Sequence, residues 1–235
     1  MSAPWPSITA EMLCGGAPIL VLAPHPDDES LGCGALLAHG FAHHGANVIC
    51  LTDGSASHPG SRDWPPERLA EQRRRELTAA LESLGGGAED LSWYGLRDSA
   101  LHDHNPEEIA ERIAGTAERL GARHLFAPAT EDEHCDHKTA ARIARLVLAR
   151  QPGLKLYSYP IWSRWNAPDF DALIAHHRPL RLGPGAHRAA KRAAIACHHS
   201  QLGKCVTDDP QGFTMDPAFV AHFAEEDEIY WSSQP

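Results

Sequence analysis

Five short apolar runs, at 19–22, 48–52, 91–94, 124–127 and 155–158, alternate with four longer segments of helical apolar spacing. Short runs without polar alternation predict strands buried on both faces. The segments between them, 30–44, 67–84, 106–120 and 136–150, predict helices. Their ends carry Gly45, Gly85-Gly86-Gly87, Gly121 and Pro152-Gly153, residues that cap or stop a helix. Strand–helix alternation of this kind predicts parallel βαβ units. The expected class is therefore α/β, a Rossmann-like, doubly wound, mostly parallel sheet with helices on both faces. We expect one domain over 1–235, with a core at about 17–160 and a segment 161–235 that covers the site. Within that segment 185–198 and 218–226 have helical patterns, and 160–184 is rich in Pro, Trp and His.

The bulk chemistry excludes several classes. A net charge of -10 argues against general nucleic-acid binding, which needs clustered Lys and Arg for phosphates. The run Arg73-Arg74-Arg75 sits in a helical pattern of mixed charge and reads as a solvated face. No run reaches the roughly 18 apolar residues of a membrane span. Met1-Ser2-Ala3-Pro4-Trp5-Pro6 lacks the basic start and apolar core of a signal peptide. The six cysteines are scattered, with no C-x-x-C pair, so reduced thiols and a cytoplasmic location are expected.

Two polar clusters follow predicted strands. His25-Pro26-Asp27-Asp28-Glu29 lies just beyond 19–22, and Glu131-Asp132-Glu133-His134-Cys135-Asp136-His137 just beyond 124–127. In a sheet of order 3-2-1-4-5, strands 1 and 4 are neighbours across the switch point. Ligands bind there, beyond the carboxyl ends of the strands. The clusters thereby face each other, and together they suit one divalent metal. Catalytic zinc keeps three His or carboxylate ligands and one position for water. His25, Asp28 and His137 are the candidate ligands. Asp27, Asp28, Ser30 and Asp136 taken singly would read as helix caps, but two clusters at one switch point make capping alone an insufficient account. Gly32-Cys33-Gly34 is not a dinucleotide loop, because it follows the acidic cluster and Leu37 stands where the third glycine is required. Close helix–strand packing is the expected reason for these glycines. Cys135 is read as non-ligating, with an oxidisable thiol near the metal.

His25-Pro26-Asp27-Asp28-Glu29 resembles the A-H-P-D-D-E signature of the PIG-L/LmbE-like zinc deacetylases, with Pro24 at the Ala position. His134-Cys135-Asp136-His137 resembles their H-x-D-H motif. The likeness extends through Thr52-Asp53-Gly54, Arg73-x-x-Glu76-Leu77, Asp98, Lys191-x-x-Ala194 and His198-x-Ser200-Gln201. It implies zinc on His25, Asp28 and His137, with iron(II) suiting the same ligands. It implies Asp27 as general base, and His134 facing the substrate carbonyl with Asp136 behind it, ideally holding it as an imidazolium. It further implies Asp98 at sugar hydroxyls and Arg73 at the substrate, although Arg73 equally suits an ion pair with Glu76. Glu29 reads as an orienter of His25 or a helix-start charge. Trp162 and Trp165 suit stacking on a sugar, and Trp93 suits core packing.

The function expected from this resemblance is zinc-dependent removal of an acetyl or other acyl group from the nitrogen of an amino-sugar conjugate. The partner is a small N-acylated molecule. An amidase for a non-sugar amide would use the same machinery. A metal- or nucleotide-binding module would need neither a spare base at Asp27 nor an oxyanion donor at His134.

Overall fold

The computed structural model describes residues 5–233. Residues 1–4, part of the stretch tested for a signal peptide, lie outside the described residues. Strand β1 (Ile19–Ala23) is fully buried and pairs in parallel with β2 (Ala46–Thr52) on one side and β4 (His124–Pro128) on the other. Strands β3 (Leu91–Leu96) and β5 (Lys155–Tyr159) extend the parallel sheet outward. The strand order 3-2-1-4-5 expected from the alternation is thus present. Beyond β5 the sheet continues with β7 (Glu228–Ser232) and then β6 (Leu180–Leu182), both pairings antiparallel, for seven strands in all among the described residues.

Successive side chains of a strand point to opposite faces, and this alternation separates two cores. Ile19, Val21 and Ala23 of β1 join Val48 and Cys50 of β2 against α2 (Asp28–His43), α3 (Pro66–Ser83), α8 (Arg188–Cys197) and α9 (Pro217–Glu225). Leu20 and Leu22 join Ile49 and Leu51 against α4 (Pro106–Leu120) and α5 (Cys135–Arg150). Local chemistry fixes the helix ends. Helix α4 begins at Asn105, whose side chain accepts the Glu107 N–H, continues with Pro106, and ends at Gly121 with φ 64°. Gly32 packs where an added Cβ would lie 2.4 Å from the Tyr159 ring, so α2 approaches β5 closely there. An added Cβ on Gly34 would meet the Lys191 stem of α8 at 2.8 Å. Close packing is the role of this glycine pair.

The C-terminal segment also contributes to the sheet and the core. It supplies two strands and two core helices, and the pattern in 160–184 gave no sign of β6. Short helices α1 (Ala10–Cys14), α6 (Trp162–Asn166) and α7 (Phe170–Leu173) were also not anticipated. Helices this short have too few internal hydrogen bonds to signal themselves in sequence. Among the described residues no helix is long and apolar enough to cross a membrane.

One buried ion pair secures the segment to the core. Glu228 of β7 accepts hydrogen bonds from Lys191 Nζ at 2.7 Å, the Ala35 N–H at 2.7 Å and the Tyr230 hydroxyl at 2.8 Å. Both charged side chains are wholly buried. Removing one partner of such a pair leaves an uncompensated charge and costs about 3–5 kcal/mol. Lys191→Met is therefore expected to destabilise the fold by about that amount, read as a lower urea midpoint. Lys191→Met with Glu228→Gln should recover much of the loss.

Candidate metal centre and cavity

The turn from β1 into α2 is held by its own carboxylates. Asp28 Oδ2 accepts the His25 N–H at 2.9 Å, and Glu29 Oε2 accepts the Asp27 N–H at 3.0 Å. Glu29 therefore braces the backbone of Asp27 and does not orient His25. Its other oxygen lies 3.3 Å from His198 Nε2. Asp27 takes φ 155° and ψ -26°, conformations that residues with a Cβ rarely adopt. Ser99, the other non-glycine residue with positive φ among those described, also borders the site. Strain of this kind concentrates where surrounding contacts over-determine a functional geometry.

Three donors meet across the switch point. His25 Nδ1 and His137 Nε2 each lie 3.2 Å from Asp28 Oδ2. Ligands of one tetrahedral zinc, at about 2.0–2.1 Å from the ion, sit roughly 3.3 Å apart. His137 Nε2 is buried and has no hydrogen-bond partner. The remaining ring nitrogens are both held by carboxylates. His25 Nε2 lies 3.2 Å from Asp136 Oδ2 and 3.3 Å from Asp98 Oδ1, and His137 Nδ1 lies 2.9 Å from Asp132 Oδ2. Carboxylates behind ligating imidazoles fix ring orientation and raise ligand basicity. The donor set fits a divalent ion of the zinc type.

The electrostatics lead to the same conclusion. Burial disfavours the charged ring of His137, yet Asp28 and Asp132 raise its pKa to about 9. Burial likewise opposes charge on His25, but Asp136, Asp28 and Asp98 carry it well above its usual value. Burial would raise the Asp28 carboxyl, and His137 and His25 overcome this and hold it well below its usual range. Four carboxylates around two imidazoles create a field that demands positive charge at one point.

Several residues lie elsewhere than expected. The Asp136 carboxylate does not stand behind His134; it serves His25 and accepts the Ser99 and Leu101 N–H groups at 2.8 and 3.1 Å. His134 Nδ1 instead accepts the Asp136 backbone N–H at 3.2 Å. That bond leaves the ring proton on Nε2, so His134 is neutral and not an imidazolium. Burial, reinforced by the cationic rings of His25 and His137, keeps its pKa at about 4. Arg73 is buried and does not pair with Glu76. Its Nη2 donates to Asp27 Oδ2 and to Pro26 O, each at 2.9 Å, and Nη1 donates to Gly54 O. Glu76 instead accepts the Ser200 N–H and hydroxyl. Asp98 accepts the Ala56 N–H at 2.9 Å besides supporting His25. Cys135 is exposed, but partial desolvation of its sulfur and the neighbouring Asp136 raise its pKa, which makes it a weak nucleophile.

Asp132 supports the candidate ligand His137, a part that the sequence reading did not assign to it. It accepts hydrogen bonds from the Ile161 and Ser163 N–H groups and the Ser163 hydroxyl while holding His137. The available signal was a carboxylate five positions before the ligand, in the loop between β4 and α5.

A cavity of about 700 Å³ opens over the centre. His25, Asp27, Asp28, Arg73, Asp98 and His134 form its floor, and Leu31, Trp162, Phe213, Met215 and Phe219 form an apolar wall. Trp165 stands outside the lining and is exposed, while Trp93 lies in β3 near Arg74.

A doubly wound sheet with two imidazoles and a carboxylate gathered at its switch point defines an α/β protein with a candidate metal centre. The chain belongs to the PIG-L family, described as GlcNAc-PI de-N-acetylase, whose model matches residues 20–148. It is 29% identical over 195 residues to the 1D-myo-inositol 2-acetamido-2-deoxy-alpha-D-glucopyranoside deacetylase of Kineococcus radiotolerans, covering 69% of this chain and 53% of that one. The chain spans about half the length, or less, of the first curated relatives it matches. In fold it is similar to a conserved protein of Thermus thermophilus, with TM-score 0.65, 25% identity and coverage of 92% and 94%. It is equally similar in fold to the 4-carboxy-2-hydroxymuconate hydratase of Pseudomonas putida KT2440, with TM-score 0.66, 17% identity and coverage of 93% and 97%.

Metal analysis checks this centre. His137→Ala should carry one equivalent of tightly bound metal fewer than wild type. Asp132→Asn should keep the metal but weaken its affinity by about 10–100-fold; unchanged affinity would leave Asp132 a purely structural residue.

Proposed function

We propose that the chain is a metal-dependent hydrolase that removes an acetyl group from the nitrogen of an amino-sugar conjugate. The observation that carries this reading is the pair Asp27 and Asp28. Two adjacent carboxylates share one buried turn, and only Asp28 joins the three-donor cluster. Asp27 remains beside it on the cavity floor. Binding alone requires no such second carboxylate. Family membership and the relatives' activities support the reading, and the fold shared with a hydratase shows why the site must carry it. The exposed cavity and six unpaired cysteines suit a small-molecule enzyme of the reducing cytoplasm.

Zinc bound by His25, Asp28 and His137 would polarise an amide carbonyl and lower the pKa of water from 15.7 to about 7. The chain's own groups supply the proton transfers. Burial raises the Asp27 carboxyl to about 6, against the Arg73 guanidinium, which pulls it down. A carboxylate with a pKa near 6 takes a proton at neutral pH and can return it to a leaving amine. Arg73 holds one oxygen of Asp27 in place. His134, neutral with its proton on Nε2, can donate a hydrogen bond to the developing oxyanion. Asp136 and Asp98 act through His25 as positioning residues.

The apolar wall favours a second feature of the substrate. Trp162 meets Phe213 and Phe219 with ring centroids 5.7 and 5.6 Å apart. Such a wall accommodates an apolar group on the acyl or amine side, as an amidase for non-sugar amides would also require. Acetate release from zinc-loaded protein across N-acetylated sugars and aryl amides separates the two substrate classes.

Asp27→Asn should retain the metal and lose about 10²–10⁴ in kcat. Near-normal turnover by that variant would remove Asp27 as the base. The pH profile follows from the same groups. Asp27 must be deprotonated, so kcat/KM should rise with pH through an acid limb at or below about 6, the bound cation favouring the carboxylate. His134 is already neutral there, so His134→Ala should lower kcat by about 10²–10³ without moving that limb. Loss of a basic limb in His134→Ala would restore the imidazolium reading.

A further inference from the structure

Four of the sixteen histidines, His39, His43, His44 and His187, gather around the last turn of α2, away from the centre described above. The ring of His39 has its centroid 4.4 Å from that of His43, 6.2 Å from His44 and 5.8 Å from His187. Glu11 reaches into this group from α1. Its Oε2 lies 3.2 Å from His39 Nε2 and 2.8 Å from His44 Nε2. The donor atoms of Glu11, His39 and His44 all lie within 4.8 Å of one another.

We propose that Glu11, His39 and His44 form a second metal site, on the protein surface, for a divalent transition ion of the zinc type. Two imidazoles and a carboxylate are the same donor set as in the interior. Their spacing about one carboxylate oxygen, 2.8 and 3.2 Å, is close to the roughly 3.3 Å kept by ligands of a single tetrahedral ion. Side-chain exposures of 16% for His39, 22% for His44 and 58% for Glu11 leave a path for the ion and room for water. The carboxyl end of a helix carries partial negative charge, which favours a cation at the last turn of α2. His43, one turn after His39 on the same helix, and His187, in the 3-10 turn Gly185–His187, border the site outside the three-donor set.

The consequence is mechanical. Helix α1 has only five residues and too few internal bonds to hold itself. An ion shared by Glu11 and the end of α2 fastens α1 to the core. The site takes no part in hydrolysis, because its residues lie outside the catalytic cavity lining.

Zinc chloride titration with equilibrium dialysis and metal analysis tests the proposal on the full chain. Glu11→Gln/His39→Gln/His44→Gln should bind one zinc per chain fewer than wild type, and its zinc-dependent rise in Tm should shrink, while acetate release at saturating zinc is unchanged. Equal zinc per chain in the two proteins overturns the proposal. His44→Gln alone, a mild change at the helix end, should weaken the surface equivalent at least tenfold, and unchanged affinity likewise overturns it. His137→Ala in the same assay should lose the interior ion and keep the surface one, so failure of one site is distinguishable from failure of the other.

Discussion

The parallel pairing of β1 with β4 is the contact on which the site depends. Its register sets Ile19 opposite His124, Leu20 opposite Leu125 and Val21 opposite Phe126, so the two strands end at the same level. His25 and Asp136, 111 positions apart in the chain, then stand within hydrogen-bond reach. Both strands are fully buried, and a slip of one residue would exchange their two apolar faces. The energy that fixes the register therefore comes from two hydrophobic cores, far larger than any interaction among the polar groups it positions.

Within that frame, neighbouring carboxylates acquire different chemistry from their surroundings. Asp28 faces two imidazoles and stays ionised far below the usual range, whereas burial raises Asp27 to about 6 even though Arg73 opposes the shift. The backbone conformation of Asp27 aims the two side chains apart. The Asp27 N–H donating to Glu29 and Arg73 donating to Pro26 O hold that conformation in place. One turn thus contains both a candidate ligand and a candidate base.

The C-terminal segment serves the core and the cavity together. His198 and Ser200 bond to Glu29 and Glu76, and Lys191 bonds to Glu228, which ties α8 to the site-bearing helices α2 and α3. From that anchored position the segment sends Trp162, Gln201, Phe213 and Phe219 to the cavity wall. A shared sheet supports different reactions in different proteins because loops and walls of this kind, and not the strands, meet the substrate.

Local pattern alone determined the parallel sheet, its central strand order, the four main helices and the two polar clusters at strand ends. Those features depend on apolar periodicity and cap chemistry, which short windows of sequence record. The antiparallel strands β6 and β7 were not visible, because three to five residues in an irregular segment take their strand form from a partner supplied elsewhere. The partners of the polar groups were likewise undetermined. Asp136 adjoins His134 in the chain but supports His25. Arg73 lies three positions from Glu76 but pairs with Asp27, and Asp132 supports His137. Hydrogen bonds are short and directional, so the partner of a buried charge is whichever group the packed strands and helices bring within about 3 Å. The sequence supplied the ionisable groups, and only the tertiary structure decided which of them meet.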